Sequence, residues 1–275
     1  MLSPPPRGQE GLPEFPMYPD LFSIGPLTLH TYGLFVAIGF ASALLVAVKI
    51  AKDSGIRAPQ VIDMGFIMIL SAVIGSRIMY ILFNLSFYVK QPLDIFKVWE
   101  GGLVFSGGII AAVAAISWHI RRHHLPFWAT ADLWAPAVAL GQGIGRIGCL
   151  MAGCCYGKPT DLPWGIVFSH PRSLAPLHIA LHPTQLYAAL SGCIIFLILI
   201  ILQSRKQFEG QVILWFLILH STGRLLIERF RGDFRGIVPG MDMSVTQLVT
   251  LIILAASVAT LFLIKVRNKK NKSQS

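Results

Sequence analysis

Seven stretches of this chain, roughly residues 30–50, 61–83, 102–119, 129–152, 185–203, 211–228 and 244–266, stay apolar over about the 20 residues that cross a ~30 Å hydrocarbon core. Nothing else in the sequence narrows the fold so far. In lipid there is no water to bond a free N–H or C=O, so a spanning segment satisfies its backbone internally, and runs of this length do so as helices. The expectation is an all-α integral membrane protein with seven transmembrane helices, one membrane domain over residues 1–275 without internal repeats. The residue balance agrees: 54% are hydrophobic and 13% charged, where soluble domains carry about 25% charged.

A net charge of +10 would suit nucleic acid if the basic residues formed one face, but their order along the chain is a topology signal. Lys49, Lys52 and Arg57 follow the first run, Arg121 and Arg122 the third, Arg205 and Lys206 the fifth, and Lys265, Arg267, Lys269, Lys270 and Lys272 the seventh. In a seven-helix chain these ends share one side. On the other side the basic residues are matched by acidic ones, among them Glu10, Glu14, Asp20, Asp94, Glu100, Asp161, Asp233 and Asp242. The positive-inside rule puts the C-terminus in the cytoplasm and the N-terminus outside, and no nucleic-acid partner is expected.

Residues 1–29, with seven prolines, lack the basic start and apolar middle of a cleavable signal peptide and read as an outer N-terminal arm. Residues 156–184, which hold the strand-like "LPWGIVF" and Pro183 in the first turn of the fifth helix, read as an outer cap segment. Residues 267–275 form a basic cytoplasmic tail.

Three arginines belong to no loop: Arg77 in "GSRIMYILF", Arg146 in "GQGIGRIGC" and Arg224 in "HSTGRLLIERF". An arginine inside a bilayer costs at least ~2.5 kcal/mol, so it has a partner or a polar cavity. Snorkelling, or a pair between Arg224 and Glu228 one helical turn on, accounts for one of them. Three at one depth point to an anionic ligand. Two rival classes share these features. An anionic-lipid transporter would use the arginines, but apart from Asp63 and Asp132 the cytoplasmic halves of the runs lack polar residues to continue a path. A membrane thiol oxidoreductase would use the outer cysteines, but no C-x-x-C is present.

The segments "PDLFSIGPLTLHTYGLF", "GSRIMYILF", "VWEGGLVFSGG", "GRIGCLMAGCCYGKP", "HPTQLY" and "GRLLIERFRGD" occur in the order seen in prolipoprotein diacylglyceryl transferases. The chain resembles that family from about residue 19 to the last run. The resemblance implies a multi-pass enzyme of the bacterial inner membrane with its outer end toward the periplasm or exterior. It would transfer the diacylglyceryl group of phosphatidylglycerol to the lipobox cysteine thiol of a prolipoprotein, forming a thioether and releasing glycerol phosphate. Its partners would be phosphatidylglycerol, prolipoprotein signal peptides with a lipobox, and membrane lipids. The chemistry requires no cofactor and no metal.

Breaking a carbon–oxygen bond to a phosphate leaving group calls for guanidinium forks that bind the phosphate oxygens as charge builds. Arg146, in a GRxG signature, and Arg224, in a GRxxxE run, resemble those groups, with Arg77, Gly157 and Ser106 completing the head-group site. The acceptor thiol, with a free pKa of ~8.5, needs a base or a positive field. Glu228, His182 and His220 are the candidates, and Tyr32 of "YGL" is a further catalytic candidate whose other reading is an interfacial belt tyrosine.

The chain departs from the family where a histidine of a "FHGG" run is replaced by Ser106, and where His220 stands for a tyrosine. Cys149 and Cys154 occupy the positions of an asparagine and an acidic residue, while Gly157 is retained as for a tight turn. A divergent member with altered donor or lost turnover is the alternative this raises. Cys149, Cys154 and Cys155 form C-x4-CC, neither a redox C-x-x-C nor a recognisable zinc pattern. A disulfide from Cys149 to Cys154 or Cys155, which requires the helix to end or bend there, and unpaired packing beside the site both stay open, with redox or metal chemistry behind them. Cys193 reads as a small buried residue of the fifth helix.

Overall fold

The computed structural model describes residues 15–24, 27–52, 54–97, 101–233, 236, 240–241 and 243–272. The first fourteen residues of the arm, with Glu10 and Glu14, the acidic residues Glu100 and Asp242, and the last three residues of the tail lie outside the described residues. The elements in order are β1 (Asp20–Ile24), β2 (Leu27–His30), α1 (Thr31–Ala51), α2 (Ala58–Phe83), the one-turn α3 (Leu85–Tyr88), a 3-10 turn at Pro92–Phe96, α4 (Phe105–Arg122), α5 (Phe127–Met151), β3 (Ile166–Val167), β4 (Ala180–Leu181), α6 (Thr184–Ser204), α7 (Gln211–Glu228) and α8 (Val245–Lys272).

The seven apolar runs coincide with α1, α2, α4, α5, α6, α7 and α8 to within a few residues, α8 alone running on through the basic segment to Lys272. Five of them, α1, α2, α6, α7 and α8, are long and apolar enough to cross a membrane. This supports a multi-pass integral membrane protein. α4 ends in His119, Arg121 and Arg122, and α5 carries Asp132, Gln142 and Arg146, which lowers their apolar character. Large side chains such as Leu45, Phe83, Val113 and Phe262 are exposed, as expected where lipid rather than water meets the helices.

The described chain divides into two compact units, residues 1–46 with 134–275, and residues 47–133. In the second, α2 and α4 pack through glycine: a Cβ on Gly75 would lie 2.6 Å from the Gly107 carbonyl oxygen, so only the bare backbone permits this approach. At the start of α2 the Gln60 side chain reaches back to the cap, the Arg57 N–H donating to Gln60 Oε1 at 3.1 Å.

In the first unit, Ala135 and Ala139 of α5, Ile195 and Leu199 of α6, and Val212 and Phe216 of α7 form one buried cluster. α1 meets α5 where a Cβ on Gly148 would lie 3.0 Å from Phe35 Cβ and 3.2 Å from the Tyr32 carbonyl oxygen. A second cluster joins the cap to the end of α5: Met17, Leu150, Phe168, Ala175 and Leu181. The strand expected in "LPWGIVF" is β3, paired antiparallel with β4 through Ile166–Leu181 and Val167–Ala180. The arm contributes the antiparallel hairpin β1–β2. Pro183 stands at the N-cap of α6, one position before the expected first turn.

Candidate functional site

The C-terminal end of α5 builds the site, and a glycine decides how. Gly153 has φ of +69°; its N–H donates to the Leu150 carbonyl at 3.1 Å, and the Cys154 N–H donates to the Cys149 carbonyl at 3.1 Å. These are the paired bonds of a Schellman motif, with Gly153 in the left-handed position that closes the helix. A Cβ there would also lie 2.2 Å from Ser173 Oγ. The motif puts residues 149 and 154 against each other, since the third-last helical residue and the second residue beyond the cap share a contact in this geometry. The helix therefore ends where the sequence required it to for these cysteines to meet.

The next residue, Cys155, has φ of +60°, a conformation that costs a non-glycine residue about 1–2 kcal/mol. Two buried α6 side chains hold it: Thr184 Oγ1 donates to the Cys155 carbonyl at 2.7 Å, and Gln185 Nε2 donates to the Cys154 carbonyl at 2.8 Å. The turn brings the sulfurs of Cys149, Cys154 and Cys155 within 4.8 Å of one another. No disulfide joins any of the three in this structure.

Arg146, one turn before the end of α5, donates from its Nη1 to Cys155 Sγ at 3.6 Å. A second guanidinium reaches the same sulfur from beyond α7: Arg231, 6% exposed, is hydrogen-bonded to Cys155. Arg231 also grips Asp233 in bidentate fashion, at 2.8 and 2.7 Å. Hydrogen bonds from the Cys149 and Cys154 thiols, and from Arg231, hold the Cys155 thiol well below the ordinary thiol range, while the bonds Cys154 makes to Cys149 and Cys155 push its own thiol up. Burial disfavours the charge on Arg231, but Asp233 and Cys155 outweigh it and hold the guanidinium firmly protonated. Sequence reasoning missed Arg231; its signal was the position three residues after Glu228, just past the end of α7, in "RGD".

Arg224 and Glu228 form the expected one-turn pair, 2.6 Å apart and largely buried, and Glu228 Oε1 accepts from Ser244 Oγ at 3.2 Å. His220, one turn earlier on α7, stacks on Phe216 with ring centroids 5.5 Å apart and lies within electrostatic reach of both Arg146 and Arg224. Tyr32, at the start of α1, lies within reach of Arg146 and the three cysteines. It is 46% exposed and lines a cavity of about 450 Å³ with Pro19, Asp20, His30, Cys154 and Arg172.

His182 lies beside the turn, two residues before Thr184: its Nδ1 is 3.3 Å from the Tyr187 hydroxyl and its ring packs 5.0 Å from Phe230. Gly157 is not a turn glycine. Its N–H donates to the His182 carbonyl at 3.1 Å, and a Cβ would lie 2.4 Å from that oxygen, so close backbone approach demands glycine here. Cys193 is on α6 but exposed rather than buried.

Arg77 and Ser106 belong to the other unit. Arg77 is 7% exposed, and its guanidinium donates to the carbonyls of Ile95 (3.0 Å), Gly101 (2.8 Å), Gly102 (3.3 Å) and Asp94 (2.6 Å). These contacts make it a pin for the segment between α3 and α4, and they leave the head-group expectation for Arg77 without support. Ser106 is exposed in the first turn of α4.

The family profile described as prolipoprotein diacylglyceryl transferase matches residues 19–263. Proteins named phosphatidylglycerol-prolipoprotein diacylglyceryl transferase are similar to this chain in Clostridium tetani, 33% identical over 83% of this chain and 91% of that protein. Those of Proteus mirabilis, 36% over 86% and 90%, and Vibrio cholerae, 39% over 81% and 82%, are also similar.

Proposed function

The chain belongs to the prolipoprotein diacylglyceryl transferase family, and on that premise we propose that it transfers the diacylglyceryl group of phosphatidylglycerol to the lipobox cysteine thiol of a prolipoprotein, in lipoprotein maturation. The observation that carries the site assignment is that Arg146 near the end of α5 and Arg224 on α7 both lie within electrostatic reach of His220. Arg146 and Arg224 bind the donor phosphate. The acceptor sulfur attacks the diacylglyceryl carbon that bears the phosphate ester oxygen. A carbon–sulfur bond forms, the carbon–oxygen bond breaks, and its electron pair leaves on the phosphate as glycerol phosphate, where the guanidinium groups stabilise it.

The thiol proton passes to a base. Of the three candidates, Glu228 is held by Arg224 and Ser244 and His182 by Tyr187. His220 lies within electrostatic reach of both arginines, and the negative charge that builds on the phosphate as it leaves offsets their field and favours a proton on the ring. Tyr32 borders the cavity through which the acceptor peptide approaches. Seven helices cross the inner membrane, an odd number that places the N-terminus outside and the basic tail in the cytoplasm.

The test is transfer from phosphatidylglycerol carrying radiolabel in the diacylglyceryl group to a lipobox peptide by the purified protein. Label in the peptide thioether, absent with a Cys→Ser peptide and with Arg146→Ala, supports the reading. A folded protein that gives no label with the intact peptide refutes it.

A further inference from the structure

The three thiols at the end of α5 answer to no step of the transfer. We propose that Cys149, Cys154 and Cys155 form a binding site for one soft divalent cation of the zinc class. The three sulfurs lie within 4.8 Å of one another. A metal–sulfur distance of ~2.3 Å sets the sulfurs of a thiolate site about 3.8–4.0 Å apart, so closing onto a cation takes at most about 1 Å. Side-chain rotation supplies that without moving the backbone. Thiolate donors select soft cations over magnesium or calcium.

The surroundings are those a built site needs. The Schellman turn fixes Cys149 and Cys154 against each other, and the left-handed Cys155 brings the third sulfur to the same point. Thr184 and Gln185 of α6 hold the two carbonyls of the turn. Three thiolates around a divalent cation leave one negative charge. Arg146 and Arg231 stand against Cys155, and with Asp233 paired to Arg231 their net single positive charge offsets it. Access is open, since Cys154 lines the cavity of about 450 Å³ that also holds His30 and Asp20.

The test uses the full chain in detergent micelles, isolated without reductant, with Cd²⁺ as the probe. One Cd²⁺ retained per chain through gel filtration, with sulfur-to-cadmium charge-transfer absorption and three sulfur neighbours by X-ray absorption, is the expected result. Cys154→Ser lowers the affinity by about 100-fold or more, while Cys193→Ser leaves it unchanged. The absorption measurement is made on the unaltered chain, so it decides the matter even where a cysteine variant fails to fold. Fewer than three sulfur neighbours, binding that survives Cys154→Ser, or a disulfide among the three in the isolated protein overturns the proposal.

Discussion

Replacing Gly153 by alanine tests how one backbone position holds the site together. The residue lies at φ of +69°, where a Cβ costs about 1–2 kcal/mol. That Cβ would also stand 2.2 Å from Ser173 Oγ and 3.1 Å from the Leu174 nitrogen, so the cap must shift. Ser173 Oγ accepts from the Ala175 N–H at 3.1 Å, a bond worth about 0.5–1.5 kcal/mol. The sum is a loss of about 1.5–3.5 kcal/mol, or roughly 3–14 °C in midpoint for a chain of this size. Gly145→Ala is the internal control. That glycine is in the same helix, with nothing within 4 Å of an added Cβ, and alanine there stabilises by up to about 1 kcal/mol. Thermal unfolding in detergent measures both, and transferase activity below the midpoint reports whether Arg146 is still presented. If Gly153→Ala melts no lower than Gly145→Ala, the helix-end argument fails.

Arg146→Lys keeps the charge but loses the planar fork, so transfer should fall by about 100-fold or more, read as initial rate at saturating donor. Glu228→Gln leaves Arg224 without its carboxylate in a largely buried place; a loss of about 3–5 kcal/mol is expected, measured by thermal unfolding. Arg77→Lys should cost on the order of 3 kcal/mol through its lost carbonyl bonds, while KM for phosphatidylglycerol in the surviving folded protein stays unchanged; a raised KM would return Arg77 to the head-group site. Against the upward push of local desolvation, the hydrogen bond to His30 and the charge of Arg172 hold the Asp20 carboxyl below its ordinary value. The tie between hairpin and cap is thus complete above the ordinary carboxylate pKa and lost as acid carries the pH below about 4, which a fall in hydrogen-exchange protection, taken relative to the intrinsic rate at each pH, in residues 20–24 and 27–30 would record.

The helices were legible because the physics of lipid is coarse: a run of about 20 apolar residues leaves the backbone one solution, and the seven long helices follow those runs closely. The Arg224–Glu228 pair was legible for the same reason, since one-turn spacing fixes a shared face once the segment is helical. Arg77 was not. Its partners are carbonyls 17 to 25 residues away, and residue type alone does not separate an arginine that pins a loop from one that binds a phosphate. Arg231 was hidden by its place just beyond a helix end, where basic residues usually mark topology. The convergence of three cysteines depended on a closing glycine and a left-handed cysteine, two dihedral facts that spacing does not carry.

In the proposed transfer the arginine pair holds a phosphate that departs with the glycerol half of the donor. The most direct measurement uses phosphatidylglycerol labelled with ³H in the diacylglyceryl group and ³²P in the phosphate, incubated with the purified protein and a lipobox peptide. The expected result is ³H in the peptide thioether and ³²P in free glycerol phosphate in equal molar amounts, both abolished together by Arg146→Ala. Phosphorus appearing on the peptide, or release of glycerol phosphate undiminished when the peptide is left out, would contradict it.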